Sequence, residues 1–247
     1  MPDRNFDAVT FDFWNTLVVE TTAPVELRRT LWQQRLAEAG HDIDHETIDG
    51  AFKHAWGRFE ERWRANEQSS AAAMTADAVT HLDLGLGDSV RDDLANAYLE
   101  ASLLTPRVLE PGVEETFDRL QGMGLGVAIV SDIGAVPGSQ IERWLDEFGV
   151  HHLVNHFAFS DQVGAFKPDR VIFDHVLGGL DVSDPARAAH VGDLRRTDVA
   201  GANAVGMTSV HYIGGRKDTD VESADPHRSP DHVISTHLDL LQTLGLQ

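Results

Sequence analysis

The stretch Phe6-Asp-Ala-Val-Thr-Phe-Asp-Phe-Trp-Asn-Thr-Leu17 combines a short apolar run, a carboxylate at Asp12 and a polar turn. The run is typical of a buried β-strand, because it is short, rich in aromatic and β-branched residues, and followed by turn residues. Five more such runs follow along the chain, at 125–130, 157–160, 188–192, 208–212 and 232–235. Amphipathic segments of helix length lie at about 112–123, 138–149, 168–179, 197–206 and 236–245. Apolar strands that alternate with helices predict an α/β fold, a doubly wound parallel sheet covered on both faces.

One long segment, at about 22–106, breaks this alternation, because it shows helical periodicity and no convincing strand pattern. Its clearest feature is an aromatic stripe at i, i+4, i+7 and i+11, formed by Phe52, Trp56, Phe59 and Trp63. Such a stripe is typical of the core of a small helical bundle. We therefore expect an all-helical domain inserted after the first strand. Further on, the segment 214–231 is rich in Gly, Pro, Asp and Ser, which predicts a long polar loop.

The composition restricts the class of protein. The chain carries 40 acidic and 20 basic side chains, so its formal net charge is −20, and its only lysines are Lys53, Lys167 and Lys217. A strongly negative surface opposes binding to nucleic acid and to anionic membranes, and it suits a high-salt environment. No apolar run approaches the roughly 18 residues of a membrane span, and no signal-peptide pattern is present. We expect a cytoplasmic protein, without disulfides or thiol nucleophiles since cysteine is absent.

Polar side chains stand where the predicted strands end. Asp12 follows the first strand, Ser131 follows the second, and Lys167 comes after the third. The fourth strand runs into Asp193 and, five residues later, Asp198. Because ligands bind outside the carboxyl ends of parallel strands, these residues are expected on one rim of the sheet. Together they form a specific constellation of three carboxylates, one hydroxyl and one ammonium group.

In this order and spacing, these residues resemble the four motifs of the haloacid dehalogenase superfamily of aspartate-nucleophile hydrolases. The motifs are matched by Asp12 and Thr16, by Ser131, by Lys167, and by Asp193 with Asp198. The resemblance covers nearly the whole chain. Segments 1–20 and 107–247 resemble the Rossmann-like catalytic core, and 21–106 resembles the helical C1-type cap that is inserted after the first strand.

The resemblance implies how a phosphoryl group would be handled. Asp12 would be the nucleophile and would form a covalent aspartyl-phosphate, which divides one difficult displacement into two easier ones. Thr16 belongs to the same catalytic motif. Lys167 would balance the negative charge of Asp12 and of the phosphoryl oxygens, and Ser131 would donate a hydrogen bond to one of those oxygens.

The resemblance also implies a metal ion. An anionic nucleophile that attacks an anionic phosphoryl group needs positive charge between the two, and Mg²⁺ suits this role because it prefers oxygen ligands. The family pattern places Mg²⁺ between Asp12, the main-chain carbonyl of Trp14 and Asp193, with Asp198 as a further ligand or as support. The implied partner is a small phosphorylated molecule.

Three positions depart from the family pattern. Trp14 stands where phosphatases of this superfamily usually carry a second Asp, and an indole cannot serve as a general acid or base. General acid–base catalysis contributes typically ~10²–10⁴-fold, so leaving groups that need protonation are expected to react poorly. An ionisable side chain of the insert, such as His54 or Glu60, is one possible substitute. Asn15 replaces a frequent glycine, and Asp132 adds a negative charge beside the expected phosphate site.

Two other functions stay open beside a phosphatase. The missing acid at Trp14 is also a trait of the 2-haloacid dehalogenases of this superfamily, which expel halide and need no metal. Those enzymes lack the acidic pair of the fourth motif, whereas Asp193 and Asp198 are present here, which favours metal-dependent phosphate chemistry. The third hypothesis is a binding module on an inactive core. It does not explain why Asp12, Lys167 and Asp193 occur together.

Other candidate residues are weaker. The histidines His151, His152 and His156 lie in a loop-like stretch without ligand partners at convincing spacing, so we interpret them as structural or solvated. The adjacent Arg195 and Arg196 fit either phosphate binding or the exposed start of a helix, and the second interpretation is slightly favoured. No phosphate-binding loop or nucleotide fingerprint follows a strand.

Overall fold

A computed structural model of the protein describes residues 6–215 and 226–246. The described residues divide into two compact units. The first comprises 6–19, 108–132, 138–215 and 226–246, and the second comprises 20–107 and 133–137. The short piece 133–137 therefore clusters with the helical unit, although the sequence predicted 107–247 as one continuous part of the core. No helix among the described residues is long and apolar enough to cross a membrane.

The strands and helices alternate as predicted outside the insert. The strands are β1 (Ala8–Phe11), β2 (Val18–Glu20), β3 (Arg107–Leu109), β4 (Gly126–Ser131), β5 (His156–Phe159), β6 (Ala188–Gly192), β7 (Thr208–Tyr212) and β8 (His232–Ile234). The helices are α1 (Pro24–Glu38), α2 (His45–Arg64), α3 (Ala71–Leu82), α4 (Asp88–Leu104), α5 (Val113–Gly122), α6 (Gly138–Glu147), α7 (Ser160–Val163), α8 (Arg170–Gly179), α9 (Ala200–Val205) and α10 (Leu240–Thr243). A π-helical turn, Arg195–Val199, precedes α9.

The first unit is built on a six-stranded parallel sheet with the strand order β5-β4-β1-β6-β7-β8. Alternate side chains of a strand point to opposite faces. On one face of β1, Ala8 belongs to a cluster with Phe173 and Val176 of α8. On the other face, the ring of Phe11 lies 4.9 Å from the ring of Phe117 in α5. Helices thus cover both faces, and the predicted doubly wound α/β fold is confirmed.

The second unit contains the four helices α1 to α4. Pro24 occupies the first turn of α1, where its missing N–H costs no hydrogen bond. The carboxylate of Asp44 accepts the N–H of Thr47 at 2.7 Å and caps α2. In the interior, Trp32 is fully buried, and its ring lies 4.8 Å from the ring of Phe52. The proline and the capping aspartate favour the starts of α1 and α2, and the aromatic contact packs the two helices together.

The aromatic stripe of α2 differs from the prediction at two positions, since Trp63 is only half-buried and Trp56 lies on the exposed side of the helix. Phe52 and Phe59 are buried, but Trp56 is 48% exposed. The buried side of α2 is set instead by small and apolar residues, namely Ile48, Ala51, Phe52, Ala55 and Phe59. The indole N–H of Trp56 donates to Glu60 at 3.1 Å on the exposed side of the helix. The interpretation of Trp56 as a core residue is therefore wrong.

Two short elements are absent from the sequence prediction. β2 and β3 pair as a separate two-stranded sheet where the chain enters and leaves the helical segment. Next to this pair, the N–H of Thr21 donates to the carbonyl of Pro106 at 2.9 Å. Three-residue strands are too short to produce a readable pattern. Within the predicted polar loop 214–231, residues 216–225 lie outside the described residues.

Candidate active site

The parallel sheet brings the predicted residues to one edge. Asp12 directly follows β1, Ser131 ends β4 and Asp193 directly follows β6. Lys167 lies between α7 and α8, and Asp198 lies in the π-helical turn Arg195–Val199. Since β1 is flanked by β4 and β6, the residues after these three strands are neighbours although they are far apart in sequence.

The ammonium group of Lys167 is at the centre of this cluster. Its Nζ donates to Asp12 Oδ1 at 2.5 Å, to Asp198 Oδ1 at 2.7 Å and to the carbonyl of Val130 at 2.9 Å. Only 2% of the residue is exposed. Burial alone would lower the pKa of this amine, but the adjacent carboxylates of Asp12 and Asp198 raise it above its ordinary value. Lys167 is therefore a fixed, buried positive charge with three acceptors for its three N–H groups.

Asp12 is buried beside this cation. Its Oδ2 accepts a hydrogen bond from Thr16 Oγ1 at 3.3 Å, while its Oδ1 accepts from Lys167. Burial, together with the neighbouring charges of Asp198 and Asp132, raises the pKa of Asp12 to about 7 against the lowering influence of Lys167. The site has more negative charge than one lysine can balance, and a second cation would favour the ionised form of Asp12.

Three carboxylates meet at this point. Asp12, Asp193 and Asp198 are all buried, and each offers an oxygen within 4.8 Å of the oxygens offered by the other two. Converging carboxylate oxygens are the donor set that hard divalent cations prefer. The cluster could therefore hold a divalent metal ion. Within the described part of the chain, no other group of three or more acidic, histidine or cysteine side chains meets this spacing.

Asp198 is held by neighbours on both of its oxygens. Oδ1 accepts from Lys167 and from His190 Nε2, the latter at 3.2 Å, and Oδ2 accepts the N–H of Leu194 at 2.9 Å. Burial alone would raise the pKa of Asp198, but Lys167 and His190 lower it below its ordinary value. Gly192 makes room for this carboxylate, because a Cβ there would lie 2.2 Å from Asp198 Cγ.

The three departures from the family pattern have clear structural consequences. The ring of Trp14 packs edge-on against Trp144 of α6, with 5.7 Å between the ring centroids. Asn15 has a φ of 59°, a left-handed conformation that asparagine tolerates better than most residues. Asp132 Oδ1 accepts the backbone N–H of Lys167 at 2.8 Å, so its negative charge also fixes the loop that carries the lysine.

Ser131 offers a hydroxyl group to this edge of the sheet. The residue is fully buried at the end of β4, and among the described residues its Oγ has no hydrogen-bond partner. Burying an unpaired hydroxyl costs roughly 1–3 kcal/mol, so the position is expected to have a partner when a ligand is bound. This is consistent with the donor role that the sequence predicted for Ser131.

A comparison with protein families identifies the chain. The family model described as haloacid dehalogenase-like hydrolase matches residues 6–206. The chain belongs to this family. The resemblance inferred from Asp12, Lys167 and Asp193 is thereby confirmed, and the protein is a hydrolase of the haloacid dehalogenase type.

This haloacid dehalogenase-like hydrolase is similar in sequence to phosphatases and similar in fold to phosphatases and dehalogenases. A ribulose-1,5-bisphosphate 5-phosphatase of Halopiger xanaduensis is 30% identical over 244 residues, which cover 93% of this chain and 95% of the relative. Among solved structures, a 2-haloacid dehalogenase from Pseudomonas syringae has a TM-score of 0.67 at 20% identity, covering 97% and 98% of the two chains. A phosphatase of this superfamily from Thermococcus onnurineus has a TM-score of 0.63 at 23% identity, covering 98% and 99%. The structural likenesses show a shared fold.

The sequence analysis missed two residues beneath the hydrolase site. His190 lies in β6, fully inside the sheet, and Thr10 lies opposite it in β1. Thr10 Oγ1 is 2.8 Å from His190 Nδ1. Burial lowers the pKa of His190 below its ordinary value, so the ring is neutral near pH 7. The sequence did hold one clue to these residues. His190 is the only ionisable residue in the apolar run 188–192, and a buried polar side chain needs a hydrogen-bond partner, which would have pointed to a neighbouring strand.

Of the weaker candidate residues, His151 and His152 belong to a short 3₁₀-helix, and the ring of His156 lies 5.2 Å from that of His175. Arg195 Nε donates to His211 Nδ1 at 3.5 Å, and Arg195 and Arg196 are both half-buried. In the helical unit, the ring of His54 stacks on that of His81, and Glu60 accepts from Trp56.

Proposed function

We propose that this hydrolase is a Mg²⁺-dependent phosphatase that acts on a small phosphorylated metabolite through an aspartyl-phosphate on Asp12. The observation that carries this proposal is the buried cluster of Asp12, Asp193 and Asp198 around Lys167. A dehalogenase needs no metal, and the three converging carboxylates would then carry more negative charge than Lys167 alone balances. The relative from Halopiger xanaduensis, named as a phosphatase of a sugar bisphosphate, supports phosphate as the group transferred.

The proposed reaction has two displacements at phosphorus. A carboxylate oxygen of Asp12 attacks phosphorus, and the bond to the leaving oxygen breaks with its electron pair going to that oxygen. Lys167 favours the ionised form of Asp12 and offsets the charge of the phosphoryl group, while Ser131 donates its O–H to a phosphoryl oxygen. Water then attacks phosphorus, the bond to Asp12 breaks, and inorganic phosphate leaves with the carboxylate restored.

The same residues would hold the metal. Asp12 and Asp193 are the proposed carboxylate ligands with the main-chain carbonyl of Trp14, and Asp198 completes or supports the set. When bound, Mg²⁺ would supply positive charge between the nucleophile and the phosphoryl oxygens. We also propose that 1–20 and 107–247 act as the catalytic core and that 21–106 acts as a cap that selects the substrate.

Removal of divalent cations tests the proposed function directly. Phosphate release from acetyl phosphate, p-nitrophenyl phosphate and sugar phosphates is measured with EDTA and again after Mg²⁺ is restored. We expect release to fall to the background rate in EDTA and to recover with Mg²⁺, because one lysine cannot balance the cluster of carboxylates. Phosphate release that continues unchanged in EDTA would contradict the metal assignment.

The same assay separates the phosphatase from the dehalogenase hypothesis. Trp14 at the acid position and the fold shared with a 2-haloacid dehalogenase are the observations that keep dehalogenation in view. Chloride release from 2-chloropropionate is measured in the presence of EDTA, alongside phosphate release. Chloride release that survives EDTA would replace the phosphatase proposal with the dehalogenase. No hydrolysis of any substrate would favour a binding module.

Trp14→Asp is expected to raise turnover of alkyl phosphates by about 10²-fold, because it supplies the missing proton donor. Acetyl phosphate serves as the internal control, since its carboxylate leaving group needs no protonation and its turnover should change little. Trp144→Phe is a matched packing control, as it loosens the same ring contact without adding an acid. The ratio of the two turnover rates is the measurement. An unchanged ratio in Trp14→Asp would point to an acid in the helical segment.

A further inference from the structure

A continuous line of buried polar contacts runs from the sheet to the nucleophile. Thr10 and His190 are paired neighbours of β1 and β6, and their side chains meet at 2.8 Å. His190 Nε2 reaches Asp198 Oδ1 at 3.2 Å, and the same oxygen accepts from Lys167, which in turn donates to Asp12. Every member of this line is at least nine-tenths buried, so each contact persists without competition from water.

The chemistry of the acceptors assigns the protons on the ring of His190. Asp198 is ionised and can only accept, so Nε2 carries the proton and donates to it. Nδ1 then accepts from the hydroxyl of Thr10 at 2.8 Å, a shorter contact than the 3.3 Å between the same hydroxyl and the carbonyl of Ala189. The ring is fixed further by Phe173, whose ring meets it edge-on with 5.2 Å between centroids. His190 therefore presents one donor in one orientation to Asp198.

We propose that His190 is a positioning residue, which fixes Asp198 so that this carboxylate holds the ammonium of Lys167 against Asp12. The inference rests on the proposed function, in which Lys167 must stay beside the nucleophile while the phosphoryl group arrives. Asp198 Oδ1 accepts from Lys167 and from His190, so removing His190 leaves this oxygen held by Lys167 alone and loosens the carboxylate about its remaining bond to the N–H of Leu194. Lys167 would then lose a fixed partner, and its charge would no longer be preorganised for transition-state stabilisation.

The test compares three replacements of His190. The amide nitrogen of Gln reaches about as far as Nε2, that of Asn reaches about as far as Nδ1, and Leu fills volume without donating. We expect kcat to fall by about tenfold in His190→Asn and His190→Leu, with KM changed less than twofold, and to be largely kept in His190→Gln. Thr10→Val, which removes the hydroxyl partner at nearly constant volume, is expected to give a smaller loss. His156→Gln in β5 is the matched control and should match the wild type.

A second measurement requires no turnover and so separates this inference from the proposed function. The chain has three lysines, so protein labelled with ¹⁵N-lysine gives at most three ammonium resonances. Lys167, buried with three acceptors, is expected to give a slowly exchanging resonance, which Lys53→Met leaves in place. This resonance should shift or broaden in His190→Asn and His190→Leu and be kept in His190→Gln.

The outcomes are distinct. An unchanged Lys167 resonance in folded His190→Asn and His190→Leu would overturn the positioning role, and so would wild-type kcat in both variants. If kcat falls in proportion to the thermal midpoint across the variants, and His190→Gln has no higher kcat than His190→Asn, then His190 acts through packing alone. That result would also overturn the positioning role. Absence of phosphate release from the wild type would overturn the proposed function, while the resonance would still decide whether His190 positions Lys167 through Asp198.

Discussion

Asp12→Asn is expected to reduce phosphate release by ~10³-fold or more while the protein stays folded, because the substitution removes the nucleophile and keeps the size of the side chain. The amide retains an oxygen that can accept from Lys167, and Asp198 remains as the second partner of that lysine. Turnover is measured as phosphate release at saturating acetyl phosphate and Mg²⁺. Asp118→Asn, on the exposed side of α5, is the control and should be unchanged.

The stability of Asp12→Asn gives an independent check. Burial raises the pKa of Asp12 to about 7, whereas the unfolded carboxyl titrates near its ordinary value. Between about pH 4 and 7 the folded protein therefore binds a proton that the unfolded chain does not bind, and stability falls as pH rises through this window. Asparagine does not titrate, so the variant should be more stable than the wild type at pH 8 in the absence of metal.

Urea unfolding at pH 5 and pH 8 in EDTA measures this difference. The gap between the two proteins should widen with pH and should close or reverse when Mg²⁺ is added, because the metal favours the ionised carboxylate of the wild type. An Asp12→Asn protein that hydrolyses substrate at the wild-type rate would remove Asp12 from the nucleophile role. A variant less stable than the wild type at pH 8 would contradict the electrostatic description of the site.

Lys167→Met is expected to lower both the activity and the stability of the protein strongly. Lys167 is 2% exposed, and its removal leaves Asp12 and Asp198 as adjacent buried carboxylates without their cation. Breaking a buried ion pair from one side costs about 3–5 kcal/mol, and losing a preorganised positive charge lowers turnover by about 10²–10³-fold. The free energy of unfolding from urea titration and kcat from phosphate release are the two measurements.

Lys53→Met is the matched control for this variant. Lys53 is an exposed lysine of α2, so the same loss of charge should alter stability by no more than about 0.5 kcal/mol. Added Mg²⁺ should restore part of the stability of Lys167→Met, since a divalent cation supplies charge to the same carboxylates. A Lys167→Met protein as stable as the wild type in EDTA would show that the two carboxylates are not both charged in the folded state.

Local sequence patterns were sufficient for most of the fold and for much of the candidate site. The strand ends carry Asp12, Ser131 and Asp193, and parallel topology alone brings such ends together, so their convergence follows from strand order rather than from fine packing. Lys167 was expected on the same rim because it comes after the third predicted strand, and its role came from the family resemblance. Its three hydrogen bonds could not be read from sequence, because they depend on the path of the loop between α7 and α8.

The contacts of His190 were beyond the sequence for a different reason. Its pairing with Thr10 depends on the register between β1 and β6, two strands whose paired residues are 180 positions apart. A shift of one residue would turn either side chain to the opposite face of the sheet. Trp56 was wrongly predicted to be buried. The spacing of the aromatic residues shows that the segment is helical, but it does not show how wide the buried face of that helix is.

The short pair β2 and β3 has a consequence for how this chain can vary. The backbone bond between Thr21 and Pro106 makes the first and last residues of the helical segment direct neighbours. The free energy of closing a flexible loop grows only with the logarithm of its length, by about 0.6 kcal/mol for each doubling. With these two ends paired, the length of the segment between them adds little to the free-energy cost of bringing them together. The helical segment can therefore differ in length or sequence while its two ends stay joined at the same place.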